Sequence, residues 1–320
     1  MRWLKLGIVS VVGVVVGCGG ASASAPETSA APATSATAAA GSGFGVIVMA
    51  HGGSPEWNQG VIDSVEPLRA KYPIEIAFGM ADATTMKDAA QKIEARGAKR
   101  VAVVRLFVSG ESWFERTEQI FGTKPGAPAD GGASDPHAAH HGGGHGGHSM
   151  AFFRVPSVAS YAFTTEGLSD VPEMGVVLAD RAAALSKEPA KEDVLILAHG
   201  PEDDGENERW LTKLGSRADT IKKRAPFRRV QVETLREDWP DKRAPAEQRI
   251  RAYVERAKNE GGKAIVIPFR VQGFGPYKEV LKDLDYVADG KGLIPHPEVT
   301  KWIDRQIVAL QAGPFRPQVQ

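Results

Sequence analysis

The chain has 320 residues, enough for two domains of ordinary size. Its 42% hydrophobic and 24% charged residues are those of a globular protein, not of a disordered or fibrous one. With 39 basic and 39 acidic residues it lacks the basic excess of a nucleic-acid binder, so no nucleic-acid partner is expected.

Residues 1–18 read as a lipoprotein signal peptide. Arg2 and Lys5 form a positive start and Leu6 to Val16 a short apolar core. Val15-Val16-Gly17-Cys18 then resembles a bacterial lipobox, which makes Cys18 the lipidated residue and the link to a membrane. Cys18 is the only cysteine, so a disulfide within the chain is excluded. Gly19 stands where an Asp would signal retention at the inner membrane. The expected address is therefore the outer membrane, with the protein facing the periplasm. Residues 19–43 are mostly Ala, Ser, Thr, Pro and Gly, too poor in apolar bulk to offset the entropy of ordering them, and read as a tether.

A repeat organises the rest. Gly45-Val46-Ile47-Val48-Met49-Ala50-His51-Gly52 is echoed by Asp193-Val194-Leu195-Ile196-Leu197-Ala198-His199-Gly200. An unbroken apolar run of this kind is the signature of a strand buried on both faces in a parallel sheet. His51 and His199 then fall at carboxyl strand ends, where open α/β sheets bind their ligands.

In the first copy Val61, Ile62, Val65 and Leu68 predict a helix, Ile74 to Phe78 a strand running toward Asp82, and Met86, Ala89, Ala90 and Ile93 a second helix. Gly97 sits where a helix cap is expected, and Val101 to Val104 form a third strand. A long insertion, 122–149, precedes a strand within Phe152 to Phe163 and a helix from Val176 to Leu185. The second copy repeats the order. Leu211, Leu214, Ala218 and Ile221 predict a helix, Val230 to Leu235 a strand running into Glu237-Asp238, and Ile250, Tyr253, Val254 and Ala257 a helix. Ala264 to Ile267 form its third strand, and Val299, Ile303, Ile307 and Leu310 share one face of a closing helix. The fold class is thus α/β: two lobes, residues 44–187 and 190–312, each a parallel sheet flanked by helices and related by internal duplication.

Strand, then Ala50-His51-Gly52-Gly53-Ser54, then helix, with Val101-Ala102-Val103-Val104-Arg105-Leu106-Phe107 downstream, resembles the sirohydrochlorin cobaltochelatase family. These class II tetrapyrrole chelatases insert a divalent metal into a porphyrin-like ring without ATP. The resemblance covers both copies and implies chelatase-like lobes with a tetrapyrrole and Co, Ni or Fe between them. It makes His51 and, by the repeat, His199 the catalytic and metal-binding imidazoles. Family members commonly carry a second His shortly after the third strand. Here that place falls near Ser112 or Trp113, and near Gly275 or Pro276, so Glu111 and Glu115 are the nearest catalytic candidates, with Tyr277 and Lys278 beside the second position.

Neutral imidazole suits such chemistry, being a ligand for Co, Ni, Fe or Zn and a base near working pH. Glu56, Asp203, Asp204 and Glu206 are expected on loops beside the two imidazoles, where a carboxylate could relay metal or protons. His296, between two prolines, reads as a loop residue. No phosphate-binding Gly-rich loop is present in the sequence, so no nucleotide is expected. Within the insertion, His137, His140, His141, His145 and His148 alternate with Gly and Ala and form a metal-binding tract of low selectivity. Two functions fit these features: a lipid-anchored, ATP-independent chelatase, or a non-catalytic periplasmic lipoprotein that binds and delivers metal or tetrapyrrole.

Overall fold

The computed structural model describes residues 43–129 and 151–319. The leader 1–18 with Cys18, the tether up to residue 42, and His137, His140, His141, His145 and His148 lie outside the described residues.

Lobe one runs β1 (Phe44–Ala50), α1 (Pro55–Val65), β2 (Ile74–Phe78), α2 (Ala83–Ala95), β3 (Arg100–Leu106), α3 (Phe114–Ile120), β4 (Ser160–Phe163) and α4 (Glu173–Leu185). Lobe two runs β5 (Glu192–Ala198), α5 (Asp204–Arg224), β6 (Arg229–Thr234), α6 (Pro240–Asn259), β7 (Lys263–Phe269), α7 (Tyr277–Val280), β8 (Tyr286–Val287) and α8 (Pro297–Ala312). The strand orders are β2-β1-β3-β4 and β6-β5-β7-β8, and every pairing is parallel. The duplicated runs are the central strands β1 and β5, each buried along its whole length. Burial on two faces is what selects Val, Ile, Leu and Met over an alternating pattern there. Their ends are in matching register. Ala50 lies opposite Phe78 and Leu106, and Ala198 opposite Thr234 and Phe269.

The two sheets share one core. Val46, Val48 and Ala50 from β1 and Val194, Ile196 and Ala198 from β5 belong to a single apolar cluster, completed by α1, α4, α5 and α8. The alternate residues of each sheet pack outward, against α2 in lobe one and against α6 and α7 in lobe two. The closing helices are exchanged. Helix α4 follows lobe one in sequence but packs on α5 and β7, while α8 follows lobe two and packs on β3 and α1. Gly175 permits the first of these contacts, since a Cβ there would stand 2.5 Å from Thr220 Oγ1 and 3.1 Å from the Arg217 carbonyl. The chain end returns to lobe one as well: Arg316 bridges Tyr161, and the Gln318 amide donates to the carbonyls of Phe121 and Val155.

Between Phe152 and Phe163 only Ser160–Phe163 is strand. Pro156 has no N–H for a ladder, Arg154 and Val155 donate to the carbonyls of Pro128 and Ile120, and the Ser157 hydroxyl accepts from Ala159 N–H. His296 is the extended residue just before α8 and serves as its N-cap. Among the described residues no helix is long and apolar enough to cross a membrane.

Candidate functional site

The two strand-end turns are built alike. After Ala50 and Ala198 the backbone must leave the sheet at once, and Gly52 and Gly200 turn it at φ +81° and +80°, a region only glycine enters without cost. At Gly200 a Cβ would also strike Thr234 Cβ at 2.7 Å. In each copy the imidazole Nδ1 lies 2.7 Å from the carbonyl of the following glycine. A carbonyl only accepts, so Nδ1 carries a proton in both rings. An indole flanks each ring: Trp57 at 6.1 Å from His51, Trp239 edge-on at 5.9 Å from His199.

Beyond that shared geometry the copies differ. Counting from the paired strand ends Phe78 and Thr234, Asp82 and Asp238 hold the same position, and so do Ala81 and Glu237. Asp82 is consumed structurally: it caps α2 by accepting from Thr84 and Thr85 N–H at 2.8 and 3.2 Å, and its other oxygen accepts from Ala151 N–H at 3.1 Å. In lobe two the cap position has moved to Trp239, followed by Pro240, which brings no N–H to satisfy. Asp238 instead stands 3.0 Å from His199 Nε2, with Glu237 at 3.9 Å. Glu237 is also ion-paired with Arg270, whose guanidinium lies 5.8 Å from the centroid of the Tyr277 ring. Arg270 follows Phe269 as Phe107 follows Leu106, so lobe one has Ala81 and Phe107 where lobe two has a buried ion pair.

His199 therefore has an acceptor at each ring nitrogen. Burial opposes its charge, but the Asp238 hydrogen bond, the Glu237 charge and the Gly200 carbonyl outweigh that and raise its pKa above the ordinary imidazole value. The unfolded value is about 6.5, so this stabilisation is complete below about pH 6.5 and is lost as pH rises through the higher folded value. His199→Gln should abolish the decline in melting temperature that this produces on the alkaline side. An identical decline in the variant contradicts the assignment.

Glu111 and Glu115 are brought together elsewhere. They line a cavity of about 560 Å³ with Phe114, Glu166, Asp170 and Lys213, between the loops of lobe one and helix α5. Each already faces a cation: Glu111 lies 3.6 Å from Arg209, and Glu115 is 2.7 Å from Lys124. The loop that precedes them is held by the buried Arg105, which donates to the carbonyls of Gly110, Thr164 and Ser112. Burial lowers the pKa of Arg105 to about 10, against the pull of Glu118, still leaving it charged at neutral pH. Trp113, near the place of the family's second His, adopts a left-handed backbone, φ +58°, at the head of α3.

The acidic residues after His199 are each engaged locally. Asp203 caps α5 through Glu206 N–H at 2.7 Å, Asp204 pairs with Arg236 and Lys242, and Glu206 accepts from the Trp210 indole at 3.2 Å. Glu56 is an exposed residue in the first turn of α1. Among the described residues no three His, Cys, Asp or Glu side chains are gathered as a metal site. Arg270 was not legible as a partner of Glu237, because only the strand register brings the two strand ends together. The acidic residues closing the second strand of each copy were the available signal.

Comparison with known proteins bears on the same elements. The CbiX family model matches residues 45–113, which span β1 to β3 and include His51. Among solved structures, SirB from Bacillus subtilis with Fe3+ superposes with a TM-score of 0.59 at 14% identity, covering 85% of this chain and 98% of that one. The sirohydrochlorin chelatase SirB from Bacillus subtilis subspecies spizizenii in complex with cobalt gives 0.55 at 11%, covering 85% and 96%. DR2241 from Deinococcus radiodurans, a multi-domain protein with structural similarity to chelatases and two additional novel domains, gives 0.51 at 18% and covers 84% of this chain. The chain spans only 55% of that protein. No curated protein matches. At these identities the likeness establishes the fold, and the two-lobed architecture is that of the chelatases.

Proposed function

Taking residues 45–113 as a CbiX-family segment within a chelatase fold, we propose that the chain handles a divalent metal ion at the carboxyl edge of lobe one, with His51 as its ligand and a tetrapyrrole as the acceptor. The observation that carries this is the Nδ1–H bond from His51 to the Gly52 carbonyl. It fixes the tautomer and orients Nε2 for a metal, the usual way a second bond prepares a ligating imidazole. Co, Ni, Fe and Zn all suit such a nitrogen donor.

His199 has a different part. Its raised pKa and its pairing with Asp238 make it a proton holder, and a metal reaches its Nε2 only by displacing that proton. Removing protons from the pyrrole nitrogens is the other half of metal insertion, and His199 with Asp238 is a base for it once the imidazole has given up its own proton. Helix α1, which follows His51, reaches lobe two at Gly60 and Gln272, and α5, which follows His199, reaches lobe one through Arg209 and Glu111. These crossings support a cleft shared by both strand-end turns. Glu111 and Glu115 line the cavity beside α5, whose lining includes neither imidazole.

A second reading has its own support. With Glu237 neutralised by Arg270 and Asp82 taken up by the cap of α2, retention and delivery of metal by a lipid-anchored periplasmic protein fit as well as turnover. Incubating the chain with Co²⁺ and sirohydrochlorin and following the absorbance spectrum separates the two. Insertion faster than with the metal alone supports the enzyme; an unchanged rate together with stoichiometric metal binding supports the carrier; neither insertion nor binding rejects both. Deleting residues 137–148 should lower the calorimetric metal stoichiometry by at least one ion while the far-ultraviolet circular dichroism is kept. An unchanged stoichiometry removes the histidine tract from the supply route.

A further inference from the structure

The ring of His296 is committed at both nitrogens, in opposite senses. Nδ1 accepts from Glu298 N–H at 3.2 Å, and Nε2 lies 3.2 Å from Asp180 Oδ2. An amide N–H only donates, so Nδ1 must be bare; a carboxylate accepts, so Nε2 carries the proton. The contacts thus require a neutral imidazole with its proton on Nε2, not on Nδ1 as at His51. Residue 296 serves the whole first turn of α8. Pro297 has no N–H, Val299 and Thr300 N–H reach the His296 carbonyl at 3.0 and 3.3 Å, and Glu298 N–H takes the ring. The side chain is only 13% exposed, so water is poorly placed to replace it.

The surrounding charges oppose a second proton. From α4 the ring meets Asp180 and Arg181, and Arg181 also donates to the Pro295 carbonyl at 3.2 Å. Asp180 is already ion-paired with Arg224 of α5. On α8 itself Glu298 is paired with Lys301 at 2.6 Å. An imidazolium would add positive charge beside Arg181 and at the positive end of the helix dipole. Burial, with Arg181 behind it, holds the ring below the ordinary imidazole pKa against the pull of Asp180 and Glu298.

We infer that His296 is an acid-sensitive latch on the exchanged helix α8: protonation of Nδ1 withdraws the cap acceptor and releases the first turn of α8 from its neighbours. One of those neighbours is α1, reached one turn in, where the Thr300 hydroxyl donates to the Ser64 carbonyl at 2.8 Å. Acid would thereby loosen the helix that packs lobe two's chain end onto the lobe carrying His51. The latch does not depend on the metal reading. The neutral ring's contribution is complete above about pH 6.5, the unfolded value, and is lost as pH falls through the lower folded value.

Amide hydrogen exchange on the whole chain at pH 7.5 and 5.0, corrected for intrinsic rates, reads the latch at residues 298–301. Loss of a cap is worth about five-fold in local opening, so protection there should fall about five-fold at the lower pH. His296→Asn, whose amide oxygen accepts at any pH, should hold protection constant, and His296→Ala should be low at both. Imidazole ¹⁵N spectra of the unsubstituted chain at pH 7.5 should show the Nε2–H tautomer at His296. Equal protection at the two pH values, the same acid loss in His296→Asn, or an Nδ1–H tautomer at pH 7.5 overturns the inference.

Discussion

His51→Ala is expected to lower the rate of Co²⁺ insertion into sirohydrochlorin by at least about 100-fold, or, for a carrier, to weaken metal binding at the lobe-one site by a similar factor. Loss of a residue that only orients a ligand commonly costs 10–100-fold, so loss of the ligand itself should reach the upper end of that range. The strand should survive the change. The ring is half-buried at a turn, and its Nδ1 bond goes to the next residue instead of across the fold. His51→Gln is a useful companion, since its amide can donate to a carbonyl but offers a poor ligand. Equal activity in wild type, His51→Ala and His51→Gln, with folding intact, would remove the imidazole from the chemistry.

The second large effect is on stability. Glu237 is 8% exposed and Arg270 19%, so the pair sits largely out of water. Arg270→Met leaves the carboxylate without its main cation and should destabilise the chain by about 3 to 5 kcal/mol at neutral pH, as breaking a buried pair from one side generally does. The loss should shrink as pH falls, because the protonated His199 lies 3.9 Å from Glu237 and supplies a substitute charge. Glu237→Gln combined with Arg270→Met should restore most of the stability, since no charge is then stranded. Denaturant unfolding of the two single variants and the double closes the cycle. A double variant as unstable as the sum of the singles would show that the pair is not coupled.

The repeat, the parallel sheets and the order of elements were legible because burial on two faces writes a continuous apolar run into β1 and β5, and Ala-His-Gly marks where each run ends. Helices α4 and α8 were legible as helices, but their exchange was not. An apolar face says that a helix is covered and leaves open which sheet covers it, and the small residue Gly175 that permits the α4–α5 approach has many other uses. The two Asp residues closing the second strands look equivalent in sequence. Their roles part because the cap of α2 falls on Asp82, whereas α6 starts one position later with Pro240 and leaves Asp238 facing His199. Asp203, Asp204 and Glu206 follow His199 closely in sequence, but a helix start needs a cap and early negative charge for its own sake, so proximity alone does not assign them to a site. His296 was hidden for a related reason: imidazole is an uncommon N-cap, and only the bare Nδ1 beside Glu298 N–H reveals it.

The unequal imidazoles can be seen directly in a ¹⁵N-histidine spectrum at pH 6.5, recorded before and after addition of Zn²⁺. His51 should show its proton on Nδ1 and should shift at Nε2 with metal, while His199 should be predominantly protonated at both nitrogens and change little until the pH is raised. A His199 that titrates below the ordinary imidazole range, or a metal shift at His199 with none at His51, would contradict the division of roles between the two lobes.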